Sequence, residues 1–451
     1  MSSEEDKRLD DLYILARRHF DEGNLPETAR LCHEVVDRKR THGPCLQLLG
    51  TLAHRSRRFG LASDYFRHAA AAMPGDPVPR NNFATALKDW GRPQDAERQF
   101  RALLAETPGF LAGHYNLGNL LQHRHRFGEA IACYRRAVAL DPDCVDAHWN
   151  LGLNLLRAGR FAEGWPEYEW RWRRPGTPVE HRGAPDWDGK PLNGRTLLLV
   201  CEQGLGDTLQ FLRYVGLSGR LGGTVILRCQ AELLRLLQGH PGVDRVLSTR
   251  EPLPAFDVQA SLMSLPRLFG TKLDSIPAET PYLAPPTGPA PSLPEGGFRV
   301  GLVWGSSPTD PSRSCPLAAL RPLSRLPDLR LFSLQKGPHA GDLARTPGAE
   351  VIFDLSDRIG DMADTAAFMQ QMDLIMTVDT SVAHLAGALG RPVFILLPHL
   401  ADWRWLLDRD DSPWYPTARL FRQTAPGDWN EVAARVEQAL VRRIHAWRNG
   451  R

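Results

Sequence analysis

Along the first third of the chain, apolar and small residues recur with a period of 34 and no insertion. The seventh position of each unit is Leu15, Leu49, Phe83, Leu117 and Leu151. The eighth is Ala16, Gly50, Ala84, Gly118 and Gly152, always small. Position 24 is Cys32, Phe66, Phe100, Tyr134 and Tyr168, and Pro74, Pro108 and Pro142 fall near the ends of units. This pattern predicts pairs of antiparallel helices. The small residue lets the two helices approach, the position-24 side chain fills the gap between pairs, and proline stops the second helix.

Five units in phase resemble the tetratricopeptide repeat. The outer two depart from the pattern, with Leu12 and Cys32 in the first and Gly164 and Trp165 in the last, as capping units do. Stacked hairpins of this kind form a solenoid whose concave face holds a peptide or protein segment. The expected partner is therefore a protein or peptide; a spacer or dimerisation element is the blander reading.

Beyond EYEWRWRR (167–174), proline and glycine become dense and the helical period is lost, which marks a boundary. Asp186-Trp187-Asp188 has the DxD form of a nucleotide-sugar metal site, but it precedes a strand instead of following one, so it reads as chance and no metal is expected. From Thr196 the pattern changes to buried apolar runs alternating with helices: TLLLVC (196–201), GTVILRC (223–229) and shorter strands near Val246 and Val258. A proline-rich linker covers 281–297. A second series then runs FRVGLVW (298–304), LRLFSL (329–334), EVIFDL (350–355), LIMTV (374–378) and VFILL (393–397). Such alternation predicts two parallel sheets with right-handed crossovers. The expected organisation is an α-helical solenoid over 1–175, one Rossmann-like half over 176–290, and a second over 291–451 with a closing C-terminal helix.

Polar residues gather where these strands end. Gly305-Ser306-Ser307 follows the first strand of the second half, Gln335-Lys336 the second, Asp379-Thr380-Ser381 the fourth, and Pro398-His399 the fifth. Serine amides, a lysine and a helix N-terminus at one sheet edge suit a diphosphate. Thr380 and His384 are four residues apart and share one side of the first helical turn. In the first half, Gln203, Gly204 and Gly206 form a tight strand–helix turn, with Asp207 beyond it as either a helix cap or a ligand group. Trp403, Trp405, Trp414 and Trp429 read as packing before base stacking.

Composition excludes more than it selects. A net charge of +3 gives no polybasic surface for nucleic acid. No apolar run approaches the ~20 residues of a bilayer span, and the acidic start MSSEEDKRLDD is no signal peptide. The seven cysteines are scattered without a CxxC pair, as for reduced thiols in a cytoplasmic protein.

EQGLGDTLQFLRYV, SLQKG, VDTSVAHLAGALGRPVFILLP and the tail DWRWLLDRDDSPWYPTARLFRQ resemble the GT-B glycosyltransferases of the bacterial heptosyltransferase-like class (family nine). The likeness is to the subgroup with tetratricopeptide repeats in front, and the layout also resembles protein O-GlcNAc transferases. The resemblance implies a GT-B pair of Rossmann-like domains and inverting transfer from a nucleoside diphosphate sugar, without metal or other cofactor. It assigns Asp207 as catalytic base, with Gln203, Gly204 and Gly206 on the acceptor side. Asp379, Thr380 and Ser381 contact donor sugar and pyrophosphate, His384 is the histidine of the following turn, and Lys336, Gln335, Ser306 and Ser307 line the donor edge. One departure stands out: the loop after GLVW keeps Arg313-Ser314 but lacks the histidine and asparagine usual in that subgroup. A non-catalytic repeat scaffold on a degenerate transferase fold is the alternative.

Overall fold

The computed structural model describes residues 3–177, 183–285, 288 and 291–450; parts of both expected linkers (178–182, and 286–287 with 289–290) lie outside these. Two compact units result, Met1–Asn154 and Leu155–Arg451.

The first unit is built of helix hairpins: Leu25–Arg38, Gly43–Arg55, Phe59–Ala72, Pro77–Asp89, Pro93–Glu106, Leu111–His123 and Phe127–Leu140 follow the opening Ser3–Asp21. Proline stands in the first turn of several of them, where its missing N–H costs nothing. The small residue lets the two helices of a hairpin approach as the sequence predicts, and the position-24 ring lies against it within that same hairpin. A Cβ on Gly50 would fall 2.6 Å from the Phe66 ring, and one on Gly118 2.7 Å from Tyr134. Amide rungs join first helices of successive hairpins: Asn116 Nδ2 donates to Asn81 Oδ1 (2.9 Å) and Asn150 Nδ2 to Asn119 Oδ1 (3.0 Å).

The second unit carries two all-parallel sheets. The first consists of β1 (Thr196–Val200), β2 (Thr224–Cys229), β3 (Arg245–Ser248) and β4 (Val258–Ser261), in the order β3-β2-β1-β4. The second consists of β5 (Phe298–Val303), β6 (Leu329–Ser333), β7 (Phe353–Asp354), β8 (Leu374–Val378), β9 (Val393–Leu397) and β10 (Ala418–Arg422), ordered β10-β9-β8-β5-β6-β7. Every residue of β8 and β9 is buried, as expected of strands covered on both faces. The long Trp429–Asn449 helix closes one face through Val432, Val436 and Leu440, which pack with Val300, Phe394 and Phe421. Among the described residues no helix is long and apolar enough to cross a membrane.

Residues of the fifth repeat belong to this unit because of their packing. The ring of Trp165 lies 5.5 Å from Trp403, and that of Phe161 lies 5.8 Å from Trp414. Trp403, Trp405, Trp414 and Trp429 are all buried, so they fill the core.

Candidate functional site

The order of the second sheet turns back at β5, with β6 and β7 on one side and β8 to β10 on the other. The crevice between the carboxyl ends of β5 and β8 is where open parallel sheets bind ligands. Thr380 caps the Ser381–Ala388 helix there, its Oγ1 accepting from Val382 N at 3.3 Å and lying 3.0 Å from Thr377 Oγ1. Asp379 beside it is 3% exposed, and its Oδ2 has no hydrogen-bond partner among the described residues. Burial, then the nearby Asp402 carboxylate, pushes the Asp379 carboxyl up to about 6 against the pull of Arg313 and Arg404. Arg313 Nη1 lies 3.9 Å from that oxygen, while Arg313 Nε is paired with Asp310 Oδ2 at 3.2 Å. An acceptor without a hydrogen bond thus lies beside a guanidinium, and near the Trp405 indole, at a helix N-terminus. A hydroxyl between them would donate to Asp379 and accept from Arg313.

The other donor-edge residues divide. Ser306 is turned into its own loop, with Oγ 3.0 Å from both Asp310 O and Ser314 Oγ, while Ser307 Oγ meets Thr309 Oγ1 on the surface. Gln335 is buried and fully used: Oε1 accepts from Trp304 N (3.1 Å) and Gly305 N (2.8 Å), and Nε2 donates to Gly305 O and Lys336 O. It fixes the exit of β5 to that of β6. Lys336 reaches the other way, donating from Nζ to Ser356 O at 2.7 Å beyond β7. His384 does not share an open face with Thr380. Its Nδ1 lies 2.9 Å from Tyr415 OH and its ring stacks on Trp405 at 5.3 Å. Burial, then Arg404, holds it down to about 3, so the imidazole is neutral.

In the first half, Gln203 takes a left-handed backbone (φ 62°) and Gly204 opens the Leu205–Phe211 helix. Asp207 in the first turn accepts from Gly204 N through Oδ2 (2.8 Å) and from Arg404 Nη2 through Oδ1 (2.5 Å). Gly206 needs its missing side chain: a Cβ would fall 2.8 Å from His384 Cδ2 and 3.4 Å from Ser381 Cα. The glycine turn of one half therefore packs directly on the ligand-edge helix of the other. The matching crevice between β1 and β4 holds Arg171, buried and donating to Glu202 (2.8 Å) and Ser264 Oγ (2.7 Å).

Sequence reasoning missed Arg171, Arg404 and His339. Arg404 lies in a tryptophan-rich segment that read as packing, and Arg171 in the EYEWRWRR run that read as a boundary. His339 sits in the Pro338–Gly341 turn, three residues past the strand-end lysine, and its ring lies against Gly305.

Residues 81–131 and 115–169 match the tetratricopeptide repeat family. Protein FlbA of Caulobacter vibrioides is 26% identical over 516 aligned positions, covering 97% of this chain and 85% of FlbA. Among solved structures, PilF of Pseudomonas aeruginosa is 15% identical with a TM-score of 0.36, over 38% of this chain and 79% of its own. MamA of Desulfovibrio magneticus RS-1 is 18% identical with a TM-score of 0.32, over 37% of this chain and 92% of its own. A structural likeness of that size fixes neither ligand nor shape. The chain thus carries an N-terminal tetratricopeptide-repeat array followed by two parallel, Rossmann-like α/β sheets, and it is similar to FlbA along nearly its whole length.

Proposed function

We propose that the second unit is a GT-B glycosyltransferase of the heptosyltransferase-like class. It would bind a nucleoside diphosphate sugar at the β5/β8 crevice and transfer the sugar, with inversion, to an acceptor hydroxyl. The repeat array would recruit the acceptor or a partner protein. The observation that carries this reading is the Asp379 carboxylate, buried with one oxygen unbonded, beside Arg313 and the N-terminus of the Ser381–Ala388 helix. Such unmet polar capacity is costly in a folded protein and marks a place where a ligand completes the bonding.

In this reading the acceptor hydroxyl attacks the anomeric carbon, its proton passes to Asp207, and the bond to the diphosphate breaks. The helix N-terminus and Arg313 offset the charge growing on the diphosphate. Asp207 must first free an oxygen, since Gly204 N and Arg404 hold one each. That double engagement favours the second reading, a scaffold in which Asp207 only joins the two halves, and so does the departure in the 305–316 loop.

Calorimetry of the full chain with UDP, ADP, GDP and CDP, beside Arg313→Ala and Thr380→Ala variants, separates the two. Micromolar binding of one nucleotide, weakened in both variants, supports the donor site. Absence of binding by all four selects the scaffold.

A further inference from the structure

The donor edge has a second cluster of polar side chains that the resemblance does not assign. His339 Nδ1 lies 3.1 Å from Asp342 Oδ2. An ionised carboxylate only accepts, so Nδ1 carries the hydrogen and Nε2 is the ring's free position. No hydrogen bond to Nε2 occurs among the described residues. Asp342 is itself fixed: Trp304 Nε1 donates to the same oxygen at 3.0 Å, and Arg345 donates to Oδ1 at 2.6 Å. Against the effect of burial, the bonds from Trp304, Arg345 and His339 hold Asp342 below the ordinary carboxylate range. The imidazole is therefore oriented by a carboxylate that is anchored on both sides, with one of the anchors the buried Trp304 of the β5 exit.

What the ring faces matters equally. It packs so closely on Gly305 that a Cβ there would fall 2.2 Å from His339 Cγ. Gly305 opens the loop that runs from β5 to Arg313 and so to Asp379. Lys336, the cation nominated at this edge by its place after β6, sends its ammonium away toward Ser356. The half-exposed His339 thus stands on the Gly305 side of the edge in its stead.

We propose that His339, oriented by Asp342 over Gly305, is a diphosphate-binding residue of the donor site. The proposal rests on the donor-site reading above and names a residue which that reading did not contain. Nδ1–H is committed to Asp342, and a hydrogen carried on Nε2 would be donated to a phosphate oxygen as a charge-assisted hydrogen bond.

The test is calorimetry of the full chain at pH 7.5 with the four nucleoside diphosphates and inorganic pyrophosphate. His339→Gln weakens binding about tenfold or more, as loss of a hydrogen bond to a charged group does. Gly305→Ala, which keeps the histidine but displaces its ring, does the same and decides the matter should His339→Gln fail to fold. Binding equal to wild type in these variants would overturn the role of His339 and leave the donor site standing. Absence of any binding by the wild-type chain overturns both.

Discussion

Arg404 donates from Nη2 to Asp207 Oδ1 at 2.5 Å, joining the loop after β9 to the helix after β1. The same guanidinium donates from Nε to Gln210 Oε1 (2.7 Å) and from Nη1 to Asp402 Oδ1 (2.8 Å), so each nitrogen has an acceptor. Removing it leaves two carboxylates without their cation in the interface of the halves. Arg404→Met should cost about 3–5 kcal/mol of stability, read by urea denaturation. Asp207→Asn retains an oxygen for Arg404 and loses the acceptor for Gly204 N, a cost of about 1 kcal/mol. If Asp207 is the base, that variant loses about 10²-fold or more in turnover from a folded protein. Near-normal turnover would take Asp207 out of the mechanism.

Asp379 should shape the response of stability to pH. Its ordinary value is 3.8, and in the fold it rises to about 6. Between those values the folded chain holds a proton that the unfolded chain has released. The contribution is complete below 3.8 and is lost as pH rises through about 6. Asp379→Asn should therefore be more stable than wild type at pH 7 and no more stable at pH 4, by denaturation at both. An equal difference at the two pH values would show that Asp379 is not the titrating group.

His384 works in the opposite sense. Held near 3 against an ordinary 6.5, it stays neutral in the fold while the unfolded chain takes up a proton. Stability is intact above 6.5 and declines as pH falls from there toward 3. In His384→Gln the acid-side decline should be shallower over this window. An unchanged slope would place the acid sensitivity elsewhere.

In the repeat array, position eight tolerates little. Gly118 lies under the Tyr134 ring, where even a Cβ would approach to 2.7 Å. Gly118→Val should cost about 1–3 kcal/mol by overpacking, with the circular-dichroism transition of the helical unit moving first. No shift in that transition would mean that the hairpin can reopen at this point.

These residues also show how far the sequence could be read. The 34-residue period, the buried parallel strands and the capped helix after β8 were legible because each is a local pattern in which neighbours decide the outcome. The site was legible only as far as strand ends are. Lys336 stands where the strand pattern puts it, yet its ammonium goes to Ser356, since the chain turns at Gly337 with φ 75°. His384 was nominated from helical spacing, and the packing of Gly206 from the other half buries it instead. Arg171 and Arg404 meet partners 31 and 197 residues away, which no local pattern encodes.

That difference in separation has a consequence for how the chain is made. Side-chain bonds between hairpins of the array link residues such as Arg101 and Glu129 or Asn81 and Asn116, 28 and 35 apart. Arg404 and Asp207 are 197 apart, and Arg213 reaches Trp414 O across 201. Loop closure over such lengths is slow beside local pairing. During synthesis each hairpin has its neighbour within a few dozen residues of leaving the ribosome. The first sheet and the fifth repeat must both wait for the tail that carries Trp403, Arg404 and Trp414, so a polypeptide interrupted before residue 403 would hold the earlier hairpins complete, with the last repeat and the sheet unsealed.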